Sequence, residues 1–324
     1  MTHSLQIRTL REGHCEAEHA VSAVLVDHSG AVLDRVGPPM ITTWRSGAKP
    51  FQLEVSLDAL IARERAQLGP EDLAIGAASH SGEAPHTARV QRLLTELSLT
   101  SEALYCGAHA PVHTESAYAL VRAGHAFSPL HNNCSGKHTL MAAATRAMGC
   151  PEDYRPSDHA LQRRIAESIA DHAHERLTAR VTDGCGVPCM VLSIDAMARC
   201  FAALSHAMTT SPESTLGTIG LAMVAHPWWV SGTGRSDYAL AQHAREPLIA
   251  KVGAEGLLCI AAPSRGLAMV LKVHSGHDDA RMAAMDALAS RWLGELIDPQ
   301  AFEPFCTVRN VIGATVGTRE ARFV

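Results

Sequence analysis

A change of hydrophobic period at residues 44–50 most constrains what this chain can fold into. Strand-like sequence runs up to Trp44, and apolar residues then recur at helical spacing: Leu53, Leu57, Leu60 and Ile61. Proline is tolerated only near the start of a helix, so Pro50 marks that start. Ser46 and Lys49 therefore lie at a strand-to-helix junction, three residues apart, a spacing that places two side chains on one helix face.

This pair predicts acyl-transfer chemistry. A lysine on a dry surface can lose its proton and act as a base, and a neighbouring serine hydroxyl then becomes a nucleophile. The partial positive charge at a helix start also favours a developing anion. Serine and lysine at this spacing are common, however, and an exposed helix start with no catalytic role is the alternative interpretation of Ser46 and Lys49.

Strands are predicted at both ends of the chain, with helices between them. Residues 21–26 and 31–36 flank a turn at 28–30, and residues 257–262 and 267–273 flank Pro263-Ser264-Arg265-Gly266. Helices are expected at 137–148 and after Ser157, a predicted N-cap. The order predicts one catalytic domain over 1–324 with an α+β fold. Its antiparallel sheet is built from about 15–45 and 250–300 around a mostly helical middle.

Composition limits the classes of function. The chain is 47% hydrophobic and 19% charged, which predicts a packed core rather than disorder. Its net charge of −5, without a long block of one sign, argues against a nucleic-acid partner. No apolar stretch is long enough for a membrane span, and the start lacks a signal-like apolar core. Nine scattered cysteines then indicate reduced thiols in a cytoplasmic protein.

Other short segments carry weaker signals. Lys251-Val252-Gly253 looks like the Lys-Thr-Gly strand of Ser-Lys acyl-transfer enzymes, or is an ordinary strand-edge lysine. Ser79 follows a run of small residues and is either a cleft residue or a turn residue. Gly232-Thr233-Gly234-Arg235 suits carboxylate recognition by backbone N–H groups and a guanidinium. The cysteine-containing segments at 132–138 and 182–189 lack zinc-ligand spacing, so chemistry alone favours buried thiols.

Taken together and in order, these segments resemble the asparaginase II family, the Rhizobium etli type also called class 3 L-asparaginases, from about residue 21 to 291. The residues that carry the resemblance are Arg45-Ser46-x-x-Lys49-Pro50, Ala78-Ser79-His80, Asn133-Cys134-Ser135-Gly136-Lys137-His138, Asp183-Gly184-Cys185-Gly186-x-Pro188, His226-Pro227, Gly232-Thr233-Gly234-Arg235 and Lys251-x-Gly253-Ala254-Glu255-Gly256.

The resemblance implies a fold like that of serine β-lactamases and serine glutaminases, and hydrolysis of L-asparagine to L-aspartate and ammonia. It implies two catalytic pairs, Ser46 with Lys49 and Ser79 with Lys251. It also implies one zinc ion per subunit and a homodimer. The implied metal ligands are Cys134, Lys137 and Cys185. The expected substrate-binding residues are Arg45, His80, His138 and Asp183.

Some positions depart from the family pattern and keep alternatives open. Trp228-Trp229 follows His226-Pro227 where relatives tend to have a single aromatic or acidic residue. Cys189 offers a second thiol close to Cys185, so the metal ligands could differ. The other functions considered are a β-lactamase-like or peptidase-like serine hydrolase, and an inactive, metal-stabilised amino-acid-binding protein.

Overall fold

Both ends of the chain contribute strands to one large antiparallel sheet. The structure, a computed structural model, describes residues 4–324. Its strands in chain order, β1 to β11, are Leu5–Arg11, His14–Asp27, Val32–Val36, Ile41–Thr43, Ala179–Thr182, Pro188–Ser193, Ile249–Val252, Leu257–Ala262, Leu267–Val273, Thr307–Arg309 and Thr315–Phe323.

The large sheet joins distant parts of the sequence. Within residues 4–324 it has eight strands, in the order β10-β11-β1-β2-β9-β8-β7, with β3 also paired to β2. The pairing of β2 with β9 runs from Val21 opposite Val273 to Asp27 opposite Leu267. Strand β7 lies at one edge beside β8, with Lys251 opposite Cys259. The sheet therefore carries residue 251 on an edge strand that is hydrogen-bonded to β8.

The sheet is covered on both faces, because successive side chains of a strand point to opposite faces and every residue of β8 is buried. On β8, Leu257, Cys259 and Ala261 belong to one buried apolar cluster. The alternate residues Leu258, Ile260 and Ala262 belong to a second cluster on the opposite face. Two hydrophobic cores thus lie on either side of one sheet, which makes this sheet the middle layer of the molecule.

Most helices come from the middle of the chain. In chain order, α1 to α13, they are Lys49–Ala59, Ala62–Arg65, Pro70–Gly76, Ala84–Glu96, Thr114–Arg122, Ser135–Ala147, Ala160–Ala173, Ile194–Thr210, Thr215–Ala225, Pro227–Val230, Ser236–Gln242, Asp278–Leu288 and Glu303–Cys306. Helix α8 packs on β2, β8 and β9, and α12 packs on β1 and β9. No helix of residues 4–324 combines the length and apolar character needed to cross a membrane.

The predicted α+β class, with a sheet fed by both chain ends and a mostly helical middle, is confirmed. The hairpin of β8 and β9 has the predicted bounds, 257–262 and 267–273. The predicted N-cap at Ser157 is wrong. Helix α7 begins at Ala160 instead, because His159 Nδ1 accepts the backbone N–H of Leu161 at 3.2 Å.

The sheet region is wider than the sequence indicated. Strand β1 lies before the predicted start at residue 15, and β10 and β11 lie beyond residue 300. The middle region also contains a small second sheet, in the order β4-β6-β5. This small sheet matters for the site, because β4 leads into residue 45 and β5 leads into residue 183.

Candidate active site

Ser46 lies in a tight turn between the small sheet and α1. The backbone N–H of Trp44 continues the β4–β6 ladder by donating to the Met190 carbonyl at 2.9 Å. Residues Arg45–Ala48 then form one 3-10 turn that leads into α1. Arg45 has φ of +52°, a left-handed conformation that is costly for a residue with a side chain and clusters at functional sites. The turn leaves the partly exposed Ser46 on the wall of a cavity.

Ser79 lies between two buried lysines. Lys49 Nζ and Lys251 Nζ each lie 2.9 Å from Ser79 Oγ. Ser79 follows α3, and its backbone N–H donates to the Val230 carbonyl at 2.9 Å. Ser79 is buried, yet it borders the same cavity as Ser46. One hydroxyl therefore connects two amines directly beside this cavity.

The lysines differ in their other contacts. Lys49 Nζ also donates to the Ala78 carbonyl at 2.6 Å. Lys251 Nζ donates to the Val252 carbonyl at 3.0 Å. Burial and the nearby charge of Lys49 lower the pKa of Lys251 to about 7. The depressed pKa that a lysine base needs is thus found at Lys251.

The arrangement differs from the pairing that the sequence indicated. Ser79 and Lys251 contact each other as expected. Lys49 is hydrogen-bonded to Ser79, and among the described residues it makes no hydrogen bond to Ser46. The cause is local: Ser46 lies in the 3-10 turn ahead of α1, and the Ala78 carbonyl and Ser79 hydroxyl supply buried acceptors for the Lys49 ammonium.

The cavity beside the two serines has a volume of about 300 Å³. Its wall includes residues that sequence reasoning did not assign to the site. These are Asn133, Ser236, Val252, Gly253, Ala254, Asp278, Asp279, Arg281 and Phe305, together with the Gly234-Arg235 turn. Two of these segments had a chemical signal in the sequence: the turn, because a guanidinium beside glycines suits carboxylate binding, and Val252-Gly253, as part of the strand that resembles Lys-Thr-Gly.

Two backbone N–H groups on this wall are free. Within residues 4–324, neither the Ser46 N–H nor the Ala254 N–H has a hydrogen-bond acceptor. Ala254 can reach the site because Gly253 has no side chain: a Cβ on Gly253 would lie 3.0 Å from the Trp44 carbonyl oxygen. The glycine of Lys251-Val252-Gly253 thus allows the end of β7 to approach the turn that carries Ser46.

Arg45 and Asp183 form an ion pair next to Ser46. Arg45 Nε lies 2.6 Å from Asp183 Oδ1, and the Gly184 N–H donates to the same oxygen at 2.7 Å. The small sheet brings them together, since β4 and β5 both pair with β6. Burial alone would raise the pKa of Asp183, but the charges of Lys137 and Arg45 outweigh burial and lower the pKa.

Cys134, Lys137 and Cys185 form a buried cluster in spite of their unpromising spacing. Lys137 Nζ lies 3.2 Å from Cys185 Sγ, and Cys134, three residues before Lys137 at the start of α6, donates its Sγ–H to Asn133 Oδ1 at 3.1 Å. Burial opposes the charge of Lys137, but Cys185 and Cys134 raise its pKa. Two thiols and an amine suit zinc once deprotonated, so the donor set fits. No group of three His, Cys, Asp or Glu side chains in residues 4–324 could hold a metal, so a site here needs Lys137.

Cys189 is not part of this cluster. Its Sγ accepts the backbone N–H of Arg45 at 3.2 Å. Burial raises the pKa of Cys189, which keeps it in the thiol form. The alternative ligand assignment therefore has no support in the geometry, and Cys189 instead supports the strained turn at Arg45.

Comparison with known proteins identifies the group to which the chain belongs. The family model for L-asparaginase II matches residues 7–317, nearly the whole chain. The chain belongs to the L-asparaginase II family. It is therefore an L-asparaginase-type hydrolase, acting on an amino-acid substrate. No curated protein matches the sequence.

Solved structures similar to this L-asparaginase II family member are distant. A Bacteroides dorei DSM 17855 protein named as a candidate beta-lactamase is 13% identical, over 84% of this chain and 85% of that one, with a TM-score of 0.38. Native Mglu is 18% identical over 86% and 66%, with a TM-score of 0.38. D-alanine carboxypeptidase AmpC from Burkholderia cenocepacia is 13% identical over 83% and 88%, with a TM-score of 0.34. At such scores these structures establish neither the reaction nor the substrate.

The two histidines that the family resemblance associates with substrate lie inside the protein. The Gly82 N–H donates to His80 Nδ1 at 3.1 Å, so the proton is on Nε2, which donates to Ser135 Oγ at 2.8 Å. His138 Nδ1 lies 2.9 Å from the Tyr154 hydroxyl. Burial lowers the pKa of both rings well below its usual value, so both are neutral. Neither ring borders the cavity of this L-asparaginase II family member.

The unusual Trp228-Trp229 pair packs behind Ser79. Trp228 stacks on His86 with ring centroids 4.1 Å apart, and His86 stacks on His80 at 5.2 Å. Arg89 lies over the Trp229 ring at 4.7 Å. In this member of the L-asparaginase II family, the two tryptophans thus support the segment that carries Ser79 and do not line the cavity.

Proposed function

We propose that the protein hydrolyses L-asparagine to L-aspartate and ammonia through a covalent Ser46 ester. One observation carries the proposal: Ser79 Oγ lies 2.9 Å from both Lys49 Nζ and Lys251 Nζ, on the wall of a cavity shared with Ser46. A reactive hydroxyl, a relay hydroxyl and a base are thus assembled around one space. Family membership supports the amide of asparagine as the bond that is broken.

Ser46 is the better nucleophile because it is the more accessible serine. Its Oγ attacks the side-chain amide carbon, and its proton passes to Ser79 Oγ as Ser79 passes its own proton to neutral Lys251. The Lys49 ammonium stabilises negative charge on Ser79 during this transfer. The relay then returns a proton to the departing ammonia, and reversal of the same steps activates water to hydrolyse the ester.

The free N–H groups of Ser46 and Ala254 supply an oxyanion hole in this scheme. Backbone donors aimed at the developing oxyanion contribute roughly 3–4 kcal/mol each in acyl-transfer enzymes. These two N–H groups need no reorganisation, because within the described residues neither has a hydrogen bond that must first be broken. The Lys251-Val252-Gly253 strand therefore has two roles, presenting the lysine base and one oxyanion donor.

The amino-acid end of the substrate is assigned to the Arg45 side of Ser46. The Asp183 carboxylate suits the α-ammonium group, and the Arg45 guanidinium suits the α-carboxylate. Cys134, Lys137 and Cys185 would hold zinc beside them, and the bound ion would supply a Lewis-acidic contact for an α-amino or α-carboxylate group. His80 and His138 then act only from inside the protein, where they contact the Ser135 and Tyr154 hydroxyls.

Parallel assays of single variants test the proposal. The wild type should release ammonia from L-asparagine, and Ser46→Ala should lose activity by at least about a thousandfold. Ser79→Ala removes the relay hydroxyl and should lower activity; where it slows hydrolysis of the ester more than its formation, mass spectrometry of quenched reactions detects a β-aspartyl ester on Ser46. Ser264→Ala, in the exposed turn between β8 and β9, is the matched control and should behave as wild type.

Three results would overturn the proposal. Ammonia release that survives in Ser46→Ala would exclude Ser46 as the nucleophile. Hydrolysis of a chromogenic β-lactam without action on asparagine would favour the β-lactamase-like alternative, and asparagine binding without turnover would favour the inactive binding protein.

A homodimer and a cytoplasmic location stay predictions. Light scattering of the purified protein would check the first of them.

A further inference from the structure

The cavity extends past the serines along a wall that asparagine itself does not need. This second wall is formed by the Gly234-Arg235-Ser236 turn, the start of α12 with Asp278, Asp279 and Arg281, and Phe305. The cavity's volume of about 300 Å³ lies within the range of roughly 300–1,000 Å³ that is usual for small-molecule sites. Neither Arg45 nor Asp183, to which the proposed function assigns the aspartyl part, lines this cavity, so its second wall is available to the other side of the scissile amide.

The charges on this wall are paired, with one exception. Asp278 Oδ1 lies 2.6 Å from Arg281 Nη1. Asp279 Oδ2 lies 2.7 Å from Arg319 Nη2. Arg235 is half-buried, and across residues 4–324 its guanidinium has neither a carboxylate partner nor a hydrogen bond. A guanidinium held in a cavity without an anion is suited to an anionic group of the ligand.

Arg235 lies on the side of the serines where the leaving group of the substrate would be. Arg235 lines the same cavity as Ser46 and Ser79, and Ser79 Oγ lies 2.9 Å from Lys251 Nζ, so the guanidinium faces the space beside the reacting groups. In the proposed function, Arg45 and Asp183 already complement the charged groups of the aspartyl part. A negative charge at Arg235 would thus belong to a substituent on the amide nitrogen.

We propose that the substrates include β-aspartyl amino acids, in which the amide nitrogen belongs to a second amino acid whose α-carboxylate pairs with Arg235. This inference rests on the proposed function and extends its substrate class. The chemistry is unchanged and balanced. The Ser46 Oγ–C bond forms as the C–N bond breaks, and the departing amine takes the relayed proton. Water then cleaves the ester, giving L-aspartate and a free amino acid.

Three substrates and three enzymes test the subsite. L-asparagine, β-aspartylglycine and β-aspartylglycinamide are compared, and the last two differ only in whether a carboxylate faces Arg235. The wild type should favour β-aspartylglycine over its amide by about tenfold or more in kcat/KM, the usual effect of one charged hydrogen bond. Arg235→Gln should bring this ratio close to one. Arg63→Gln, an exposed arginine on α2, should keep the wild-type ratio.

The outcomes separate this inference from the proposed function. Hydrolysis of asparagine without hydrolysis of β-aspartylglycine overturns the inference alone, as does a ratio that is the same in Arg235→Gln and wild type. Hydrolysis of β-aspartylglycine without asparagine, with a ratio sensitive to Arg235, upholds the subsite and overturns asparagine as substrate. Hydrolysis of neither overturns both. Arg235 makes no side-chain hydrogen bond, so its replacement should not disturb folding, which thermal unfolding will check.

Discussion

Lys251 is the residue whose protonation sets the activity in this scheme. Burial and Lys49 lower its pKa from 10.5 to about 7, so the neutral amine predominates above pH 7 and the ammonium below it. Because the neutral amine is the base, kcat/KM for asparagine should rise with pH through a midpoint near 7. Lys251→Arg, which stays charged, should lose about 10²–10⁴-fold in kcat/KM. A wild-type profile that is flat across neutral pH would contradict this assignment.

Arg45 combines a strained backbone with a charge, and two substitutions separate these features. Arg45→Gln removes the cation that is hydrogen-bonded to the largely buried Asp183 carboxylate, so KM should rise and stability should fall by about 1–3 kcal/mol. Arg45→Gly should show the same KM defect with a smaller loss of stability, because glycine accepts a φ of +52° without strain. Steady-state kinetics and urea unfolding measure both effects.

The control for this pair is Arg155→Gln. Its partner Asp153 has 40% of its side chain exposed, against 12% for Asp183. Exposed ion pairs contribute only about 0–1 kcal/mol, so this variant should keep wild-type stability and KM. Equal stability losses in Arg45→Gln and Arg155→Gln would show that burial of Asp183 has no energetic consequence.

For single residues, the sequence indicated which ones carry reactive groups but not how these groups contact one another. Residue type and local order singled out Ser46, Lys49, Ser79 and Lys251. The contact from Lys49 to Ser79 depends on the reach of a long side chain between α1 and the segment after α3, which no local pattern encodes. His80 and His138 illustrate the same limit, because adjacency to Ser79 and Lys137 does not tell which way a ring points.

Among the elements, β7 has the most demanding position, because its end must approach the turn before α1. A Cβ on Gly253 would lie 2.6 Å from Leu257 Cδ2 and 3.0 Å from the Trp44 carbonyl oxygen. Gly253→Ala should therefore displace Ala254 and lower kcat by about 10²–10³-fold, the effect of losing one oxyanion donor. Fixed-time assays of ammonia release would measure this loss of kcat.

Gly69→Ala is the matched control for Gly253→Ala. Its Cβ would have only Asp72 Oδ2 within 4 Å, at an ordinary 3.6 Å, and its φ is −89°. This variant should retain wild-type kcat. A Gly253→Ala enzyme with undiminished kcat would show that the approach of β7 to Trp44 is not needed for the oxyanion hole.

Elements with strong local signals were predictable and those that depend on partners were not. The β8–β9 hairpin combines continuous apolar strands with a Pro-Ser-Arg-Gly turn, so its bounds followed from sequence. Strand β11 is largely exposed and carries polar side chains, so its composition does not indicate a strand. It is a strand because it pairs with β1. The three-residue strand β4 is too short to show the alternation of apolar and polar residues by which strands are predicted.

For the whole molecule, the buried thiol–amine cluster links stability to activity. If zinc binds Cys134, Lys137 and Cys185, a chelator should raise KM for asparagine and lower the melting temperature, because binding to the folded state alone stabilises it. Cys134→Ser should lower the affinity for zinc by at least roughly ten- to a hundredfold. Elemental analysis of the purified variant should therefore find less bound zinc than in the wild type. Cys15→Ser, at an exposed thiol far from the cluster, should keep the wild-type zinc content.

The interleaving of the chain ends in one sheet has a consequence for synthesis on the ribosome. Strand β2 has β9 as a neighbour, and β1 is hydrogen-bonded to β11 from Leu5 opposite Phe323 onward. A nascent chain that presents Ser46 and Ser79 thus still lacks the strands that complete the central layer and deliver Lys251. Ribosomal synthesis makes the proposed base Lys251 after both serines, so in this scheme an enzyme that consumes a protein building block stays inactive until strands β7 to β11 have also been made.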